Sequence, residues 1–291
     1  MAMYGWQFVP NAKTTKAPRA RTTDVASIVA TATIGVLVIA ALLAPVIAPY
    51  AVDALDLSHR RAVPSLAHWF GTDELGRDLL TRVLYGARVS LAIGLISAAV
   101  SVSIGTAIGA VAGYAGRWID DVLMRATDAM LCIPRLPLLM IMSAFARPSA
   151  VVLVVFVGLV GWMETARVVR TSVQSLASRD FVTAAQAMGA TPWRVMMRHI
   201  LPGIAPVMAV ATTLAVGRGI LLESALSFFG VGVQPPTASW GNMLYQAQTT
   251  MSSEPWLAVF PGVMIFVTVL ACNALGERRD PRTVQGLATP D

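Results

Sequence analysis

The stretch DFVTAAQAMGATPWRVMMRHILP, residues 180–202, is a polar segment between two strongly apolar ones. Its spacing predicts two short helices joined at a hinge. Asp180 is a suitable N-cap for the first helix, and Gly189 stands where a left-handed residue would end it. Thr191 followed by Pro192 is typical of the N-cap and first position of a second helix. Such a unit is suited to docking on another protein, although an ordinary connecting loop fits the same spacing.

The composition indicates an integral membrane protein. The 291 residues are 56% hydrophobic and only 13% charged, whereas a soluble domain has about 25% charged residues. The net charge of +6 comes from arginines scattered at the ends of apolar runs, which is typical of topology determinants rather than of a nucleic-acid surface. Cys132 and Cys272 lie inside apolar runs, so we expect packed thiols rather than a disulfide or metal ligands.

Six apolar runs approach the roughly 20 residues that a helix needs to cross a bilayer. We therefore predict an all-α integral membrane fold with six transmembrane helices and a loop at 178–202 between the fourth and fifth. The predicted spans are 25–48, 89–114, 122–145, 150–168, 203–226 and 256–275. The predicted divisions are a tail at 1–24, the first helix, an extracytoplasmic segment at 49–87, a five-helix core at 88–275 and a tail at 276–291.

Charge asymmetry predicts the orientation of these spans. Lysine and arginine recur in residues 1–24, 115–121, 169–202 and 276–291, and neither occurs in 227–255. The predicted outer segment 49–87 is the exception, but acidic residues accompany its arginines. Positively charged loops stay on the cytoplasmic side. We therefore expect both termini and the 178–202 loop in the cytoplasm of a multi-pass protein of the cytoplasmic (inner) membrane.

Glycine spacing in the second span predicts close helix packing. Gly105, Gly109 and Gly113 recur every four residues, and such a ladder of small residues lets another helix approach closely in lipid. The alternative is that glycine is simply common in transmembrane helices.

Several prolines and charges interrupt the apolar runs. Pro134 and Pro137 should kink the third span. Charges inside a span are costly and usually face protein or water, so Asp128 and Glu223 are candidates for a translocation pathway or its gate. Asp128 has an alternative role as a partner of Arg125, and Glu223 has one as an interfacial residue at the outer membrane edge.

Helical spacing predicts two further ion pairs. They are Asp78 with Arg82, and Glu164 with Arg167. Arg135 and Arg218 have no role that the sequence reveals.

Signatures of nucleotide and metal chemistry are missing from the sequence. There is no G-x-x-x-x-G-K-[ST] loop, so any ATP must be bound by another chain. There is no H-E-x-x-H or G-x-S-x-G, and His59, His68 and His199 are far apart, so we expect neither a metal site nor a catalytic residue. An intramembrane enzyme is therefore a poor fit, whereas a stand-alone secondary transporter and a structural scaffold stay open.

Several stretches resemble one family, the inner permease subunits of type I ABC importers, and most closely the C-type subunit of dipeptide, oligopeptide and nickel permeases. The 180–202 segment resembles the coupling (EAA) loop of that family, E-A-A-x3-G-x9-I-x-L-P. Thr183 stands in the glutamate position and His199 in the isoleucine position. The matching residues are Ala184, Ala185, Gly189, Leu201 and Pro202.

Further matches extend this resemblance over about residues 65–275. The most specific are HWFGTDELGRDLLTRVLYGARVSLAIG (68–94) and LSFFGVGVQPPTASWGNML (226–244). The resemblance implies import of dipeptides or oligopeptides, with nickel chelates or haem as alternatives, and a stand-alone secondary transporter is then a weaker hypothesis.

The resemblance also implies partners. These are a homologous B-type permease subunit, ABC ATPase subunits or a fused ATPase that carries ATP and Mg²⁺, an extracytoplasmic substrate-binding protein and membrane lipid, with no nucleic acid and no cofactor on this chain. The residues expected to contact the ATPase are Thr183, Ala184, Ala185, Gly189, Trp193, Arg194, Met196, Arg198, Leu201 and Pro202.

Overall fold

The computed structural model describes residues 20–145 and 149–279, so most of the two predicted tails lies outside the described residues. Helices dominate the described part of the chain, which contains no strand and only one isolated bridge, Thr72 with Asp78. The predicted all-α membrane fold is confirmed. The helices that are given a label here are α1 (Ala20–Leu42), α2 (Leu79–Ala115), α3 (Arg117–Leu131), α4 (Arg135–Ala144), α5 (Ala150–Ala177), α6 (Asp180–Ala187), α7 (Pro192–Val195), α8 (Ala205–Phe228), α9 (Trp240–Ala247) and α10 (Trp256–Arg279). Short turns lie at Ala44–Ile47, Leu57–His59, Met196–Ile200 and Leu201–Gly203.

Five of these helices (α1, α2, α5, α8 and α10) are long and apolar enough to cross a membrane. The pair α3 and α4 also passes as one span, but its two halves are bent by 80°. The bend lies just before α4, where Pro134 is the N-cap. A proline removes a backbone donor and clashes with the preceding turn, which explains the predicted kink. The described residues therefore contain five candidate spans, or six if the bent pair is one broken span.

The second span begins earlier than the sequence predicted. α2 starts at Leu79, within the predicted extracytoplasmic segment, because the Asp78 side chain accepts a hydrogen bond from the Thr81 amide at 2.8 Å and caps the helix. The predicted pair of Asp78 with Arg82 is wrong. A capping carboxylate faces the free amides of the first turn, and Arg82 Nε instead lies 3.5 Å from Asp73 Oδ2.

The predicted glycine ladder faces α5. A Cβ atom on Gly105 would lie 2.6 Å from the Trp162 carbonyl oxygen, and one on Gly113 would lie 2.7 Å from the Arg170 carbonyl oxygen. At Gly109 the added atom would collide with the Ala166 carbonyl oxygen. The two helices can therefore approach only because these positions have no side chain.

The two cysteines differ in their surroundings. Cys272 is buried in α10, as predicted for a packed thiol. The same prediction is wrong for Cys132, which is exposed. Cys132 lies at the break between α3 and α4, where the helix ends and no neighbouring span encloses the side chain.

Replacing Gly109 by alanine should destabilise the protein, because its neighbour is backbone that cannot rotate away. Gly35→Ala in α1 is the matched control, since a Cβ there meets nothing within 4 Å. Both substitutions gain helix propensity, but only Gly109→Ala adds overpacking, which typically costs about 1–3 kcal/mol. In detergent, we expect Gly109→Ala to lower the thermal midpoint by several degrees and Gly35→Ala not to lower it. Equal midpoints would contradict the packing described above.

Candidate functional site

The segment at residues 180–202, here called the knuckle, connects α5 to α8. Its first helix, α6, begins at Asp180, one residue earlier than predicted. Arg179 is the N-cap and makes no side-chain capping bond, so Asp180 is the first helical residue and not the cap. An acidic residue in the first turn still interacts favourably with the positive end of the helix dipole.

A Schellman motif ends α6 at Gly189, as the sequence predicted. Gly189 has a φ of +85°, in the left-handed region that favours glycine. Its amide donates to the Gln186 carbonyl at 2.9 Å, and the Ala190 amide donates to the Ala185 carbonyl at 3.0 Å. These two bonds fix the direction in which the chain leaves the helix.

The second half of the knuckle is helical from Pro192 onward. Thr191 caps α7 by accepting a hydrogen bond from the Arg194 amide at 3.3 Å, with Pro192 in the first turn, as predicted. The helix continues through a π-helical turn, Met196–Ile200, and the short turn Leu201–Gly203, and Ile204 is the single non-helical residue before α8.

One face of the knuckle packs against the ends of α2 and α5. An apolar cluster joins it to Val169 and Val173 of α5, and Gln186 Nε2 donates to the Tyr114 hydroxyl of α2 at 3.2 Å. The knuckle residues buried in this cluster are Val182, Ala185, Val195 and Ile200, and Ile204 just after the knuckle is buried with them. Ala185 was expected to contact a partner, but in this conformation it is turned into the chain's own core.

The opposite face of the knuckle is exposed and combines apolar with basic side chains. Met188 is 83% exposed and Trp193 is 72% exposed. Of the residues expected to contact a partner, those exposed here are Thr183, Ala184, Gly189, Trp193, Arg194, Arg198 and Pro202, whereas Met196 and Leu201 are half-buried. Phe181, Met188 and Met197 are also exposed. The motif did not reveal these three, because only the phase of the folded helices shows which way they face.

Asp128 pairs with a different arginine from the one that the sequence predicted. Its Oδ1 accepts from Arg167 Nε at 3.1 Å, whereas no ion pair with Arg125 occurs among the described residues. The crossing of α3 and α5 brings Arg167 to this carboxylate. Both side chains are more than half exposed in the isolated chain, and a role for Asp128 in the pathway stays a prediction.

Glu164 forms the centre of a second ion cluster, called the triad. Its Oε1 accepts from Arg135 Nη2 at 2.7 Å, and its Oε2 pairs with Arg218 Nη1. The predicted pair with Arg167 is therefore wrong, because Arg167 is engaged by Asp128. The triad connects α4, α5 and α8, and it accounts for two arginines to which the sequence assigned no role.

Glu223 is buried, with no exposed surface. Its Oε1 accepts from the Ser227 hydroxyl at 2.8 Å and its Oε2 accepts from the Ser90 hydroxyl at 3.0 Å. The Ser90 oxygen also accepts from the Trp240 amide at 3.2 Å. This network joins α2, α8 and α9. Glu223 therefore lines no open pathway in this conformation and does not lie at an exposed membrane edge.

Comparison with known proteins identifies the family. Residues 105–285 match the family described as "Binding-protein-dependent transport system inner membrane component". The chain belongs to this family of ABC importer permeases. It is a multi-pass inner-membrane protein of the peptide and dipeptide transport group, as the resemblance noted in the sequence predicted.

Three relatives illustrate this relationship. A protein of Brucella suis biovar 1 (strain 1330), named as a peptide permease, is 39% identical over 243 residues, which are 83% of this chain and 80% of the relative. The dipeptide transport system permease of Alkalihalophilus pseudofirmus is 38% identical, over 82% of this chain and 79% of its own. The glutathione transport system permease of Pectobacterium atrosepticum is 39% identical, over 79% and 76% respectively.

A solved structure shares the fold. It is a chain from the inward-facing MetNI methionine ABC transporter, with a TM-score of 0.54 and 19% identity. The match covers 72% of this chain and 98% of the solved one. At this identity the likeness shows the architecture of a transporter membrane subunit and carries no information on substrate.

Two substitutions at Glu223 distinguish a role in packing from a role in transport. Glu223→Gln keeps the shape and an acceptor oxygen, so we expect little change in thermal stability and in transport by the assembled protein. Glu223→Leu leaves the Ser90 and Ser227 hydroxyls without their acceptor, and each buried unsatisfied group costs about 1–3 kcal/mol. We therefore expect a clearly lower thermal midpoint for Glu223→Leu alone. Loss of transport in Glu223→Gln at unchanged stability would return Glu223 to the pathway.

Proposed function

We propose that this chain is the membrane subunit of an ATP-driven importer of peptides, and that it receives the force of ATP hydrolysis through the knuckle. The observation that carries the proposal is the two-sided construction of the knuckle. One face is buried against α5 and α2, and the other presents exposed apolar and basic side chains. A rigid element that is packed on one side and open on the other is suited to receive a partner.

The exposed face has the chemistry of a protein interface. Trp193 and Met188 offer large apolar contacts, and tryptophan, methionine and arginine are enriched where proteins bind one another. Arg194 and Arg198 are both exposed and would pair with acidic groups of an ATPase. Asp180 is the single acidic residue of the knuckle, so this surface favours a partner with negative charge at its groove.

Force transmission follows from the connections of the knuckle. The buried face holds it to the end of α5, and its second half is joined to α8 through the single turn residue Ile204, which is buried in the same cluster. When two ATPase domains close on ATP, a rigid-body shift of the knuckle would therefore move both spans together. Because the packed apolar cluster resists compression, little of the displacement would be lost within the knuckle.

The proposed assembly contains three further functions on other chains. A homologous B-type permease completes the pathway, ATPase subunits or a fused ATPase bind ATP and Mg²⁺ beneath the knuckle, and a binding protein delivers substrate on the opposite side. This arrangement places the knuckle and both termini in the cytoplasm, in agreement with the charge asymmetry. It leaves ATP hydrolysis to a partner chain.

Peptides are the substrate that the comparisons favour. The three relatives are named for transport of peptides, dipeptides and glutathione. Dipeptides and glutathione each have at least one free carboxylate. Nickel chelates and haem remain a second hypothesis from the family resemblance, and the relatives cited here give them no support.

A substitution at Gly189 should uncouple ATP hydrolysis from transport. A Cβ there would meet nothing within 4 Å, so space is not limiting, and only the left-handed backbone restricts the residue. Valine is strongly disfavoured in that conformation, whereas asparagine tolerates it. In reconstituted transporter we expect Gly189→Val to lower import at least about tenfold while ATP hydrolysis continues. The control Gly189→Asn should keep most of the import.

Wild-type coupling in Gly189→Val would contradict the role of the hinge. An equal loss of import in both variants would mean that any side chain at this position blocks docking. The left-handed backbone of Gly189 would then not be the cause.

Removing the large apolar side chain at Trp193 should weaken binding of the ATPase. Trp69 is a matched control, since it is 68% exposed against 72% for Trp193 but lies in the segment before α2, on the opposite predicted side. We expect Trp193→Ser to lower ATPase retention in detergent pull-downs at least about tenfold and Trp69→Ser to leave it unchanged. Unchanged retention in Trp193→Ser would favour a purely structural role for the knuckle.

A further inference from the structure

The triad of Arg135, Glu164 and Arg218 joins three helices within the predicted spans 122–145, 150–168 and 203–226. Glu164 is about 20 Å from either end of α5, at 1.5 Å per residue, and Arg218 lies near the middle of α8. Charges within a span are expensive in lipid and mark protein-lined or water-filled space. The three side chains are 23–38% exposed in the isolated chain. The face that carries them therefore borders a partner chain or an aqueous pathway and not lipid.

The triad has a net formal charge of +1. Two guanidinium groups share one carboxylate, and both oxygens of Glu164 are already engaged. The neighbouring pair of Asp128 and Arg167 is neutral. No other ion-pair partner of Arg135 or Arg218 occurs in residues 20–145 and 149–279. The formal excess at this level is therefore one unit of positive charge.

The backbone reinforces this positive potential. The broken span bends by 80°, and α4 starts at Arg135 with no side-chain cap on its amides. The positive end of a helix and its free amides attract anions. In transporters, the ends of broken helices at mid-membrane are places where charged substrate groups bind.

A narrow cleft with mostly apolar walls adjoins the two arginines. Arg135 and Arg218 line it together with Ser97 and Ser101 of α2. Ser101 is 3% exposed, and its hydroxyl has no hydrogen-bond partner among the described residues. A buried hydroxyl without a partner is costly, so this cleft favours a polar group that would satisfy it.

We propose that the triad is a carboxylate-binding station in the translocation pathway, at which the surplus guanidinium binds the free carboxylate of a peptide in transit. Arginine binds carboxylates through parallel N–H donors, and Glu164 holds the two guanidinium groups in position. The proposal rests on the function proposed above, since it requires a peptide substrate. It means that this chain contributes to substrate selection in addition to the binding protein.

The test compares two variants of the complete transporter in proteoliposomes, with its binding protein present. Arg218→Gln lowers the charge of the triad from +1 to zero. The double variant Glu164→Gln with Arg218→Gln restores +1 on Arg135, although it removes more of the local hydrogen bonds. The substrates are a dipeptide with a free carboxylate and the same dipeptide as its C-terminal amide.

We expect Arg218→Gln to lower uptake of the free-carboxylate dipeptide at least about tenfold. The ratio of its uptake to that of the amide should also fall below the wild-type ratio. The double variant should recover at least half of that uptake. A double variant no better than the single one would indicate a structural role and overturn the inference, as would unchanged uptake in Arg218→Gln. Equal loss for both dipeptides in Arg218→Gln would overturn it too.

The binding protein is the same in every arm, so a change in preference between variants belongs to this chain. A wild-type transporter that imports neither dipeptide would overturn the proposed function itself. Import that is intact but insensitive to the triad would overturn only the carboxylate station.

Discussion

The apolar contact between the knuckle and the end of α5 is the interaction on which the account of this protein depends. Val182, Val195 and Ile200 are essentially inaccessible to solvent and pack against Val169 and Val173. Without this contact, the knuckle would be a loose loop between two spans, and a partner pushing on it would move only the loop. With it, the exposed face becomes the end of a rigid body that includes α5 and α8.

The membrane imposes a second constraint on the same helices. Because lipid offers no partner for a charge, several ionic groups of α3, α4, α5 and α8 are paired across contacts between helices. Asp128 pairs across to Arg167, and Glu164 pairs with Arg135 and Arg218. A displacement of α5 and α8 by the knuckle would therefore also displace the triad. In this account, one rigid unit joins the proposed ATPase surface to the proposed carboxylate station.

The sequence predicted the features that depend on local rules. Apolar runs predicted the spans, Pro134 predicted the kink, and Gly189 and Thr191 predicted the turn and cap within the knuckle. It predicted the glycine contact of α2 with α5, but it failed for the charges that pair between helices. Spacing of three or four residues suggested pairs within one helix, such as Arg125 with Asp128, but the packing of separate helices decides which charges face each other. The burial of Glu223 and Ala185 was equally hidden, because the side of a helix that faces the core depends on its neighbours.

The most direct test of the central claim is a photo-cross-link from the exposed face of the knuckle. A photoreactive residue in place of Met188, in purified transporter assembled with its ATPase, should cross-link to the ATPase chain, with a yield that changes when ATP is bound. The same residue in place of Leu66, which is exposed in the segment before α2, should give no such product. Cross-links from position 188 that reach only lipid or the partner permease would contradict the account.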